Sequence, residues 1–326
     1  MNMRVLCLTF GDATTASTFY RIHQYQSPFA AHNIHLETIP ARQFRSWNDV
    51  QHYDAVLVQK SLLPMDKVRR LRGTARRLLY DIDDAIWHPH GKPHFFLTRV
   101  RQVLRLRAIT KAADQCLAAN DLLAAHLRRF TPRVAVVPMA LDGAKWKPLD
   151  GLPARELLRI GWSGHPTNLR YLEAIEPALL AVQGQFPKLE FAICSGQPPS
   201  FRELKFLHLP FVAGKDLDAI QSFDIGLLPL PDNAFAAGKS PIKGLQYLAC
   251  GVAPIAAPLS GTRELLGEEE TALYASSTEE WVHGLVRLIE GEGYRGTIAL
   301  NARKRFESRY ELRRTADLLG QHLRGC

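Results

Sequence analysis

The sequence predicts an α/β protein of two domains, each built on a parallel sheet with helices packed against it. Short apolar runs alternate with amphipathic stretches along the whole chain, which is the pattern of successive βα units. Each half also starts alike, with a strand, a Gly-containing turn and a helix in residues 4–25 and again in 158–175. A chain of 326 residues has the length of two ordinary domains. We therefore expect two similar sheets that face each other across a cleft.

Nine short apolar runs are predicted to be strands because they have the length and composition of buried strands in βα units. In the first half they are 3–10, 55–59, 77–82, 115–119 and 134–138, and in the second half they are 157–163, 189–195, 224–230 and 252–257. The stretch 138–153 concentrates Pro, Gly and Asp and marks the boundary between the halves. The predicted domains are residues 1–145 and 146–300. The remaining residues, 301–326, are predicted to be basic and helical, with the first domain as their candidate packing partner.

Cysteine usage and hydropathy indicate a protein of the cytoplasm. The five cysteines lack CxxC or other metal-ligand spacing, and they are Cys7, Cys116, Cys194, Cys250 and Cys326. No run approaches the roughly 20 uncharged apolar residues that span a bilayer, and the N-terminus lacks a small-residue cleavage site. We expect a cytoplasmic protein that is soluble or peripheral on the inner face of the plasma membrane.

The positive charge of the chain lies in its first half. Residues 1–150 have 22 Lys and Arg against 12 Asp and Glu, whereas residues 151–326 have 19 against 20. Many of the cations fall close together in 67–77 and 99–111, which are predicted helices. This pattern fits attraction to an anionic lipid surface or to a phosphate-bearing partner, and it equally fits a solvated face. Nucleic acid is not expected as a partner, because the basic runs lack interleaved aromatic residues.

The turn after the first strand of the second half is a candidate anion-binding loop. It reads Ser163-Gly164-His165-Pro166-Thr167, and Thr167 is predicted to cap a helix that begins near residue 168. Glycine lets a ligand approach the backbone, and free N–H groups at a helix start favour a phosphate. His165 is a candidate hydrogen-bond donor to that ligand or an exposed loop residue.

The segment 238-GKSPIKGLQYLACG-251 carries the more specific pattern. Ser240 followed by proline predicts an N-cap and a helix start, and Gly251 predicts the helix end. Lys239 precedes the cap, and Lys243 and Gln246 share a face of the helix because they are three residues apart. Two ammonium groups beside a positive helix terminus suit a diphosphate, and Gln246 suits nearby hydroxyls. The alternative is a surface helix with two solvated lysines.

The first half contributes two further candidate groups. In 80-YDIDDAIWHPH-90 three carboxylates follow a strand, and Asp81 and Asp83 have the Asp-x-Asp spacing that can hold a divalent metal. Alternatively, Asp83 and Asp84 cap a helix or bind an acceptor. The loop and helix of 11-GDATTASTFYRIHQY-25 offer Gly11 and Arg21 to the expected cleft, or form an ordinary capped helix.

With these motifs, nearly the whole chain resembles the bacterial family-4 glycosyltransferases. The resemblance rests on 79-LYDIDDAIW-87, 159-RIGWSGHPTNLRYL-172, 223-FDIGLLPLPDN-233, 238-GKSPIKGLQYLACGVAPIAAP-258 and 277-STEEWVHGLVRLI-289. It implies the GT-B fold, with two Rossmann-like domains that face each other across a cleft. It also implies retaining transfer of a sugar from a nucleotide-diphosphate sugar to a hydroxyl of a glycan or lipid-linked acceptor in cell-surface polysaccharide or glycoconjugate synthesis, without a cofactor or an obligatory metal.

The resemblance also assigns roles by position. Lys239 and Lys243 correspond to the catalytic, phosphate-neutralising segment, and donor binding is expected from Gly164, His165, Thr167, Ser240 and Gln246. The acceptor side is expected to comprise Gly11, Arg21, Asp83 and Asp84.

The chain departs from the family pattern at the Glu-x7-Glu motif. Gly238 and Gln246 occupy the two positions of the glutamates. This departure keeps open a weak or inactive sugar-nucleotide-binding or scaffold homologue. A dinucleotide oxidoreductase is disfavoured because neither half has Gly-x-Gly-x-x-Gly after its first strand.

Overall fold

The computed structural model describes residues 2–88, 95–149, 157–212 and 216–325. The chain divides into two compact units. The first comprises Met1–Ala140, Gly238–Ser240 and Leu312–Cys326, and the second comprises Leu141–Ala237 and Pro241–Glu311. The division between the two sheets thus lies at residues 140 and 141, close to the predicted 145. The C-terminal division lies at 311 and 312, so that residues 301–311 belong to the second unit rather than to a separate segment.

Within the described residues, twelve strands form two parallel six-stranded sheets. The strands of the first unit are β1 (Met3–Thr9), β2 (Ile34–Pro40), β3 (Ala55–Gln59), β4 (Leu78–Ile82), β5 (Gln115–Ala118) and β6 (Val134–Val136). Those of the second are β7 (Leu158–Ser163), β8 (Leu189–Ser195), β9 (Leu207–Pro210), β10 (Ile225–Leu228), β11 (Ala253–Ala256) and β12 (Leu273–Tyr274). The orders are β2-β1-β3-β4-β5-β6 and β12-β11-β10-β7-β8-β9. Strand order therefore changes direction between β1 and β3 and between β7 and β10, and open parallel sheets bind ligands outside the carboxyl ends of the strands at such points.

Helices connect the strands. They are α1 (Ala16–Arg21), α2 (Gln26–Ala31), α3 (Met65–Thr74), α4 (Phe96–Ala112), α5 (Asp121–Arg128), α6 (Leu169–Glu173), α7 (Glu176–Gln185), α8 (Asp216–Gln221), α9 (Ala234–Ala237), α10 (Ile242–Cys250), α11 (Ser260–Leu266), α12 (Thr278–Glu290), α13 (Glu292–Arg309) and α14 (Leu312–Arg324). Short 3-10 turns cover His23–Tyr25, Asp49–His52 and Pro166–Asn168. No helix in the described ranges is long and apolar enough to cross a membrane.

The core of the first unit includes the C-terminal helix. Leu312, Ala316, Leu319 and Leu323 of α14 are buried at helical spacing against the sheet and the α2 region. The Arg77 guanidinium donates to the carbonyl of His322 at 2.9 and 3.1 Å. Helix α14 thus completes the core of the first unit.

The core of the second unit lies on both faces of its sheet. Helices α7 and α12 bury apolar side chains on one face, among them Leu179, Val182, Trp281 and Leu285. On α10 every residue from position 244 to 250 is buried, and Gly251 ends the helix with φ of 64°. Glycine adopts this left-handed conformation without steric cost, so the predicted helix end is the observed one.

The cysteines that the structure describes are buried. Cys7, Cys116, Cys194 and Cys250 are free thiols, and burial raises the pKa of Cys116 and of Cys250 to about 12. These thiols are therefore protonated at neutral pH and unreactive as nucleophiles.

Candidate functional site

The first unit carries a polar cluster beyond the carboxyl ends of β1, β3 and β4. These strands end at Thr9, Gln59 and Ile82, and β1 and β3 are the pair at which strand order changes direction. The cluster therefore lies where a parallel sheet offers a ligand crevice. It includes the predicted acceptor-side residues of this unit, and the bonds that they make differ from one residue to the next.

Arg21 is part of a buried ion pair. Its guanidinium is bidentate on the carboxylate of Asp81, with Nε 3.1 Å from Oδ2, and it also donates to the carbonyls of Val137, at 2.7 Å, and Pro138, at 3.2 Å. Arg21 is 3% exposed and Asp81 is 2% exposed. Burial lowers the pKa of Arg21, but the Asp81 carboxylate outweighs burial and the net shift is upward. These bonds tie α1 to β4 and to the chain after β6, which is a structural arrangement.

Lys60 holds the other two carboxylates of the cluster. Its ammonium nitrogen lies 3.2 Å from Oδ1 of Asp83 and bonds to Asp84. Burial lowers the pKa of Lys60, but the two carboxylates outweigh it and raise the pKa overall. The backbone of Lys60 has φ of 58°, which is strained for a residue with a Cβ, and such strain collects at functional positions.

Glutamine and hydroxyl side chains complete the cluster. Gln59 is fully buried, and its Oε1 accepts from the backbone N–H of Phe10 at 2.9 Å while its Nε2 donates to Ser17 at 2.9 Å. Ser17 donates in turn to Asp83. Gly11 packs against Thr15, where a Cβ would lie 2.1 Å from Oγ1. The loop after β1 is therefore fixed at both ends by hydrogen bonds to Gln59.

Lys243 and Gln246 meet a common carboxylate in the second unit. The ammonium nitrogen of Lys243 is 2.9 Å from Oδ2 of Asp216, and Nε2 of Gln246 is 3.3 Å from the same oxygen. Asp216 begins α8, and Lys243 stands in the first turn of α10, whose N-cap, Pro241, makes no side-chain cap bond. The lysine side chain is 19% exposed, whereas Gln246 is fully buried. The Lys243 side chain is thus partly accessible to solvent, whereas the Gln246 amide is buried.

The loop after β7 has a different cap from the predicted one. Nδ1 of His165 accepts from the backbone N–H of Thr167 at 3.3 Å, so the histidine caps the 3-10 turn that precedes α6. The expectation that Thr167 caps the helix is wrong, because the chain first makes this short turn and α6 begins only at Leu169. At Gly164 a Cβ would lie 2.4 Å from the Trp162 ring. The glycine is therefore required by close packing, and its backbone N–H donates to the carbonyl of Cys194 at 3.1 Å.

Gly238 and Ser240 make contacts within the first unit. Nδ2 of Asn120 donates to the carbonyl of Gly238 at 3.0 Å and to Oγ of Ser240 at 2.9 Å. A Cβ on Gly238 would lie 2.8 Å from the Cβ of Ala85. The predicted N-cap role of Ser240 is wrong, since Pro241 occupies that position and the hydroxyl serves Asn120. Lys239, between them, is half-buried.

A separate cavity of about 380 Å³ opens on the second unit, beside the carboxyl ends of β10, β11 and β12. Its walls come from the loops that follow these strands and from α6 and α12, and they include Tyr171, Pro229, Asp232, Pro258 and Trp281. None of the predicted site residues lines it. Across the described ranges, no group of three or more His, Cys, Asp or Glu side chains is arranged to hold a metal ion.

Sequence reasoning missed three of the polar residues in these clusters, Gln59, Lys60 and Asp216. Gln59 and Lys60 directly follow the apolar run of β3, so polar residues at the carboxyl end of a predicted strand were the available signal. Asp216 offers no such signal, because its partner Lys243 is 27 residues away in sequence.

Comparisons with known proteins agree with this architecture. A family model described as glycosyl transferase-like matches residues 172–320. A sequence search of curated proteins gives no significant match. Sucrose-phosphate synthase from Thermosynechococcus elongatus has a similar structure, with a TM-score of 0.76 at 14% identity over 100% of this chain and 99% of that one.

Two further solved structures are similar over nearly their whole length. Anabaena Alr3699/HepE, in complex with UDP and glucose, has a TM-score of 0.73 at 13% identity over 100% of both chains. A glycosyltransferase from Rickettsia africae ESF-5 has a TM-score of 0.68 at 9% identity over 99% of this chain and 98% of that one. With the two parallel sheets, these likenesses establish the two-domain, Rossmann-like GT-B fold. Fold alone does not determine the reaction.

Proposed function

We propose that the protein is a retaining, family-4-type glycosyltransferase. It moves a sugar from a nucleotide-diphosphate sugar to a hydroxyl of a glycan or lipid-linked acceptor in cell-surface polysaccharide or glycoconjugate synthesis. The glycosyl transferase-like match spans residues 172–320 and so includes Lys239, Lys243 and Gln246. The structures of HepE in complex with UDP and with UDP-glucose support a nucleotide sugar as the donor.

The observation that carries the proposal is the environment of Lys243. It stands in the first turn of α10, where backbone N–H groups are free of a side-chain cap and the helix dipole is positive. Its ammonium group is partly exposed and bonds to Asp216. A diphosphate that enters this position exchanges a carboxylate partner for a more highly charged one, which favours binding.

The same cation would serve the chemical step. Charge accumulates on the departing diphosphate as the glycosidic bond breaks, so a fixed ammonium group stabilises the transition state more than the ground state. In front-face retention the departing phosphate oxygen takes the proton of the acceptor hydroxyl, which removes the need for a separate base. Lys239 is the second proposed cation, and Gly164, His165 and Ser240 are proposed to bind the donor.

The acceptor is proposed to bind at the carboxyl edge of the first sheet. Asp83 and Asp84 lie there beside Lys60, and Gly11 follows β1 at the same edge. A hydroxyl can accept from the Lys60 ammonium group or donate to the carboxylates. Arg21, which bonds to Asp81 and to backbone carbonyls, supports this edge by holding α1 in place. The reaction is proposed to need no metal, and turnover in excess chelator is expected to equal turnover without it.

The experiment combines binding and turnover. The full chain is tested by thermal shift against nucleoside diphosphates and their sugars, and the best donor is then assayed for slow hydrolysis without acceptor. Lys243→Ala is expected to lower turnover roughly 10²-fold, as loss of an oxyanion donor does. Lys188→Ala removes an exposed lysine of the same unit and should leave turnover unchanged. Equal turnover of Lys243→Ala and wild type would refute the phosphate role.

A second candidate function is a non-catalytic sugar-nucleotide-binding or scaffold protein. Gly238 favours it, because a Cβ there would contact Ala85 at 2.8 Å and the glutamate of the family motif has no room without displacement. Binding of a nucleotide sugar with no hydrolysis and no transfer identifies this function. Absence of binding by any nucleotide in the panel excludes both candidates.

A further inference from the structure

One face of helix α4 leaves large apolar side chains exposed. Phe95, Phe96 and Leu97 are 88%, 77% and 79% exposed at the start of the helix, and Val100 and Leu104 continue the exposed face. The spacing of 96, 100 and 103 and of 97, 100 and 104 places these residues on one side of the helix. Soluble monomers seldom expose apolar residues in a contiguous patch of this kind, and such patches mark interaction surfaces.

The C-terminal half of α4 already has its packing partners. Leu106, Ile109 and Thr110 are buried in the first unit, and they anchor the C-terminal half of the helix. The stripe of exposed apolar residues lies in the N-terminal half of the helix and is therefore additional to the part that the fold uses.

The stripe continues across a groove onto α3. A cavity of about 510 Å³ lies between the two helices, and its apolar lining is formed by Pro64, Met65, Leu97, Val100 and Leu104. Met65 is exposed like the residues of α4. We call this region, with the tip Phe95–Leu97, the α3–α4 surface.

Arginines surround the apolar residues of this surface. Arg69, Arg101 and Arg105 line the groove together with a single carboxylate, that of Asp66. Arg99 and Arg107 lie on the exposed part of the same helix, and residues 95–113 of the sequence contain no Asp or Glu. Cations thus flank an apolar tip on both sides.

We propose that the α3–α4 surface binds an anionic lipid bilayer. An interfacial helix combines exposed Phe and Leu with Lys or Arg, because the bilayer presents acyl chains and headgroup phosphates at adjacent depths. Phe95, Phe96 and Leu97 insert among the acyl chains, while Arg69 and Arg101 contact phosphates. A soluble acidic partner would match the arginines but would leave the aromatic tip in water. The proposal does not depend on the sugar-transfer function.

The test is co-sedimentation of the full chain with vesicles. Vesicles of phosphatidylcholine alone are compared with vesicles that also contain phosphatidylglycerol. Each arginine near an anionic surface contributes about fivefold to partitioning, so Arg69→Gln with Arg101→Gln should weaken binding roughly 30-fold. Phe96→Ser with Leu97→Ser should weaken it at least about tenfold. The loss of binding caused by Phe96→Ser with Leu97→Ser should persist in about 1 M NaCl. At that concentration the Debye length is about 3 Å, so salt screens the contribution of charges and not that of apolar insertion.

Matched control variants test whether vesicle binding depends on the α3–α4 surface or only on the overall charge and hydrophobicity of the protein. Arg128→Gln with Arg129→Gln removes two exposed arginines at the C-terminal end of α5, and Leu300→Ser removes an exposed apolar side chain of α13. Both are expected to bind like wild type. Binding by wild type to neither vesicle, or equal binding by all variants, overturns the proposal.

A second copy of the chain is the alternative occupant. If light scattering without lipid shows a dimer that Phe96→Ser with Leu97→Ser dissociates, the surface is a dimer interface and the lipid proposal is wrong. A monomer that binds anionic vesicles supports it. Loss of nucleotide-sugar turnover with vesicle binding intact affects only the proposed function, so failures of the two proposals can be told apart.

Discussion

In the first unit, Arg21 bonds to Asp81 through both Nε and Nη2 and is almost wholly removed from solvent. In the second unit, Lys243 meets a single carboxylate oxygen of Asp216 and keeps a fifth of its side chain in water. Both are ion pairs near the carboxyl edge of a parallel sheet. A buried charge that loses its partner is left without solvation, whereas a partly exposed one can be resolvated or taken up by a ligand.

This comparison distinguishes a cation whose donors are committed to the fold from one that is partly exposed. Arg21 was predicted to contact the acceptor because of its position on the helix after the first loop, and that role stays a prediction. Its Nη1 donates to the carbonyls of both Val137 and Pro138, so both N–H groups of this nitrogen are already used. Sequence position identifies a cation near a site, but only burial and partners show whether it is available to a ligand.

The largest expected effect is on stability, from breaking the buried pair. Arg21→Met leaves the Asp81 carboxylate buried without its partner and should lower the free energy of unfolding by about 3–5 kcal/mol. Arg4→Ala, which breaks the exposed Arg4–Glu37 pair at 3.8 Å, should cost less than about 1 kcal/mol. Urea unfolding at neutral pH measures both.

The double variant Arg21→Met with Asp81→Leu provides the check. Replacing both charges by apolar groups removes the unsolvated carboxylate, so part of the lost stability should return. If the single and double variants are equally unstable, loss of packing rather than of charge compensation explains the result. The contrast between the buried Arg21–Asp81 pair and the partly exposed Lys243–Asp216 pair would then not hold.

The next largest effect is also on stability and concerns the segment Gly238–Ser240, which belongs to the first unit. Gly238→Ala places a Cβ 2.8 Å from that of Ala85, so it should destabilise the protein by about 1–3 kcal/mol. Gly73→Ala and Gly184→Ala, where a Cβ meets nothing within 4 Å, should instead stabilise it by up to about 1 kcal/mol. Thermal unfolding of the three variants measures the difference, and a stabilised Gly238→Ala would contradict the packing argument.

Much of the fold follows from the sequence, and the strands that it does not predict share one property. All nine predicted runs contain observed strands, whereas β2, β9 and β12 were not predicted. These three lie at edges of their sheets and are partly exposed, so their residues need not form a continuous apolar run. The spacing and number of apolar residues in a strand reflect how deeply the strand is buried. An edge strand is less buried than a central one, so its pattern is weaker.

The candidate site was predictable only in part, for a different reason. The motif around Lys243 is contiguous in sequence, so its helix, its end at Gly251 and its shared face could be predicted. The carboxylate that bonds to Lys243 and the lysine that holds Asp83 and Asp84 come from other βα units. Partners that the sheet topology brings together have no fixed spacing, so no local pattern identifies them.

A smaller effect tests whether Asp216 competes with the ligand for Lys243. Asp216→Asn leaves an uncharged partner, so a diphosphate no longer displaces a carboxylate, and the affinity for the best nucleoside diphosphate should rise about three- to tenfold, roughly 1 kcal/mol. Glu190→Gln removes the carboxylate of the Arg159–Glu190 pair in the same unit and should leave affinity unchanged. Isothermal titration calorimetry measures both, and weaker binding by Asp216→Asn would show that the carboxylate positions the lysine instead.

The smallest effect concerns a histidine of the first unit whose pKa is lowered mainly by burial, so that it stays neutral instead of forming an ion pair. The His126 ring stacks on Trp87 with centroids 3.6 Å apart, and burial, with Arg129 and His88, lowers its pKa to about 4. Because the folded pKa lies below the unfolded value of about 6.5, protonation favours unfolding. Its contribution to stability is therefore complete above about pH 6.5 and is lost as the pH falls toward 4.

The ring is half-buried, so solvent screening keeps this loss below about 1 kcal/mol. Urea unfolding of wild type and His126→Phe at about pH 7.5 and pH 5 isolates it, because phenylalanine keeps the stack without a titrating group. Wild type should lose more stability than the variant between these pH values, and NMR titration should place the His126 midpoint near 4. Equal losses would mean that burial does not hold the ring neutral and that the first unit, like the second, keeps a cation open to solvent.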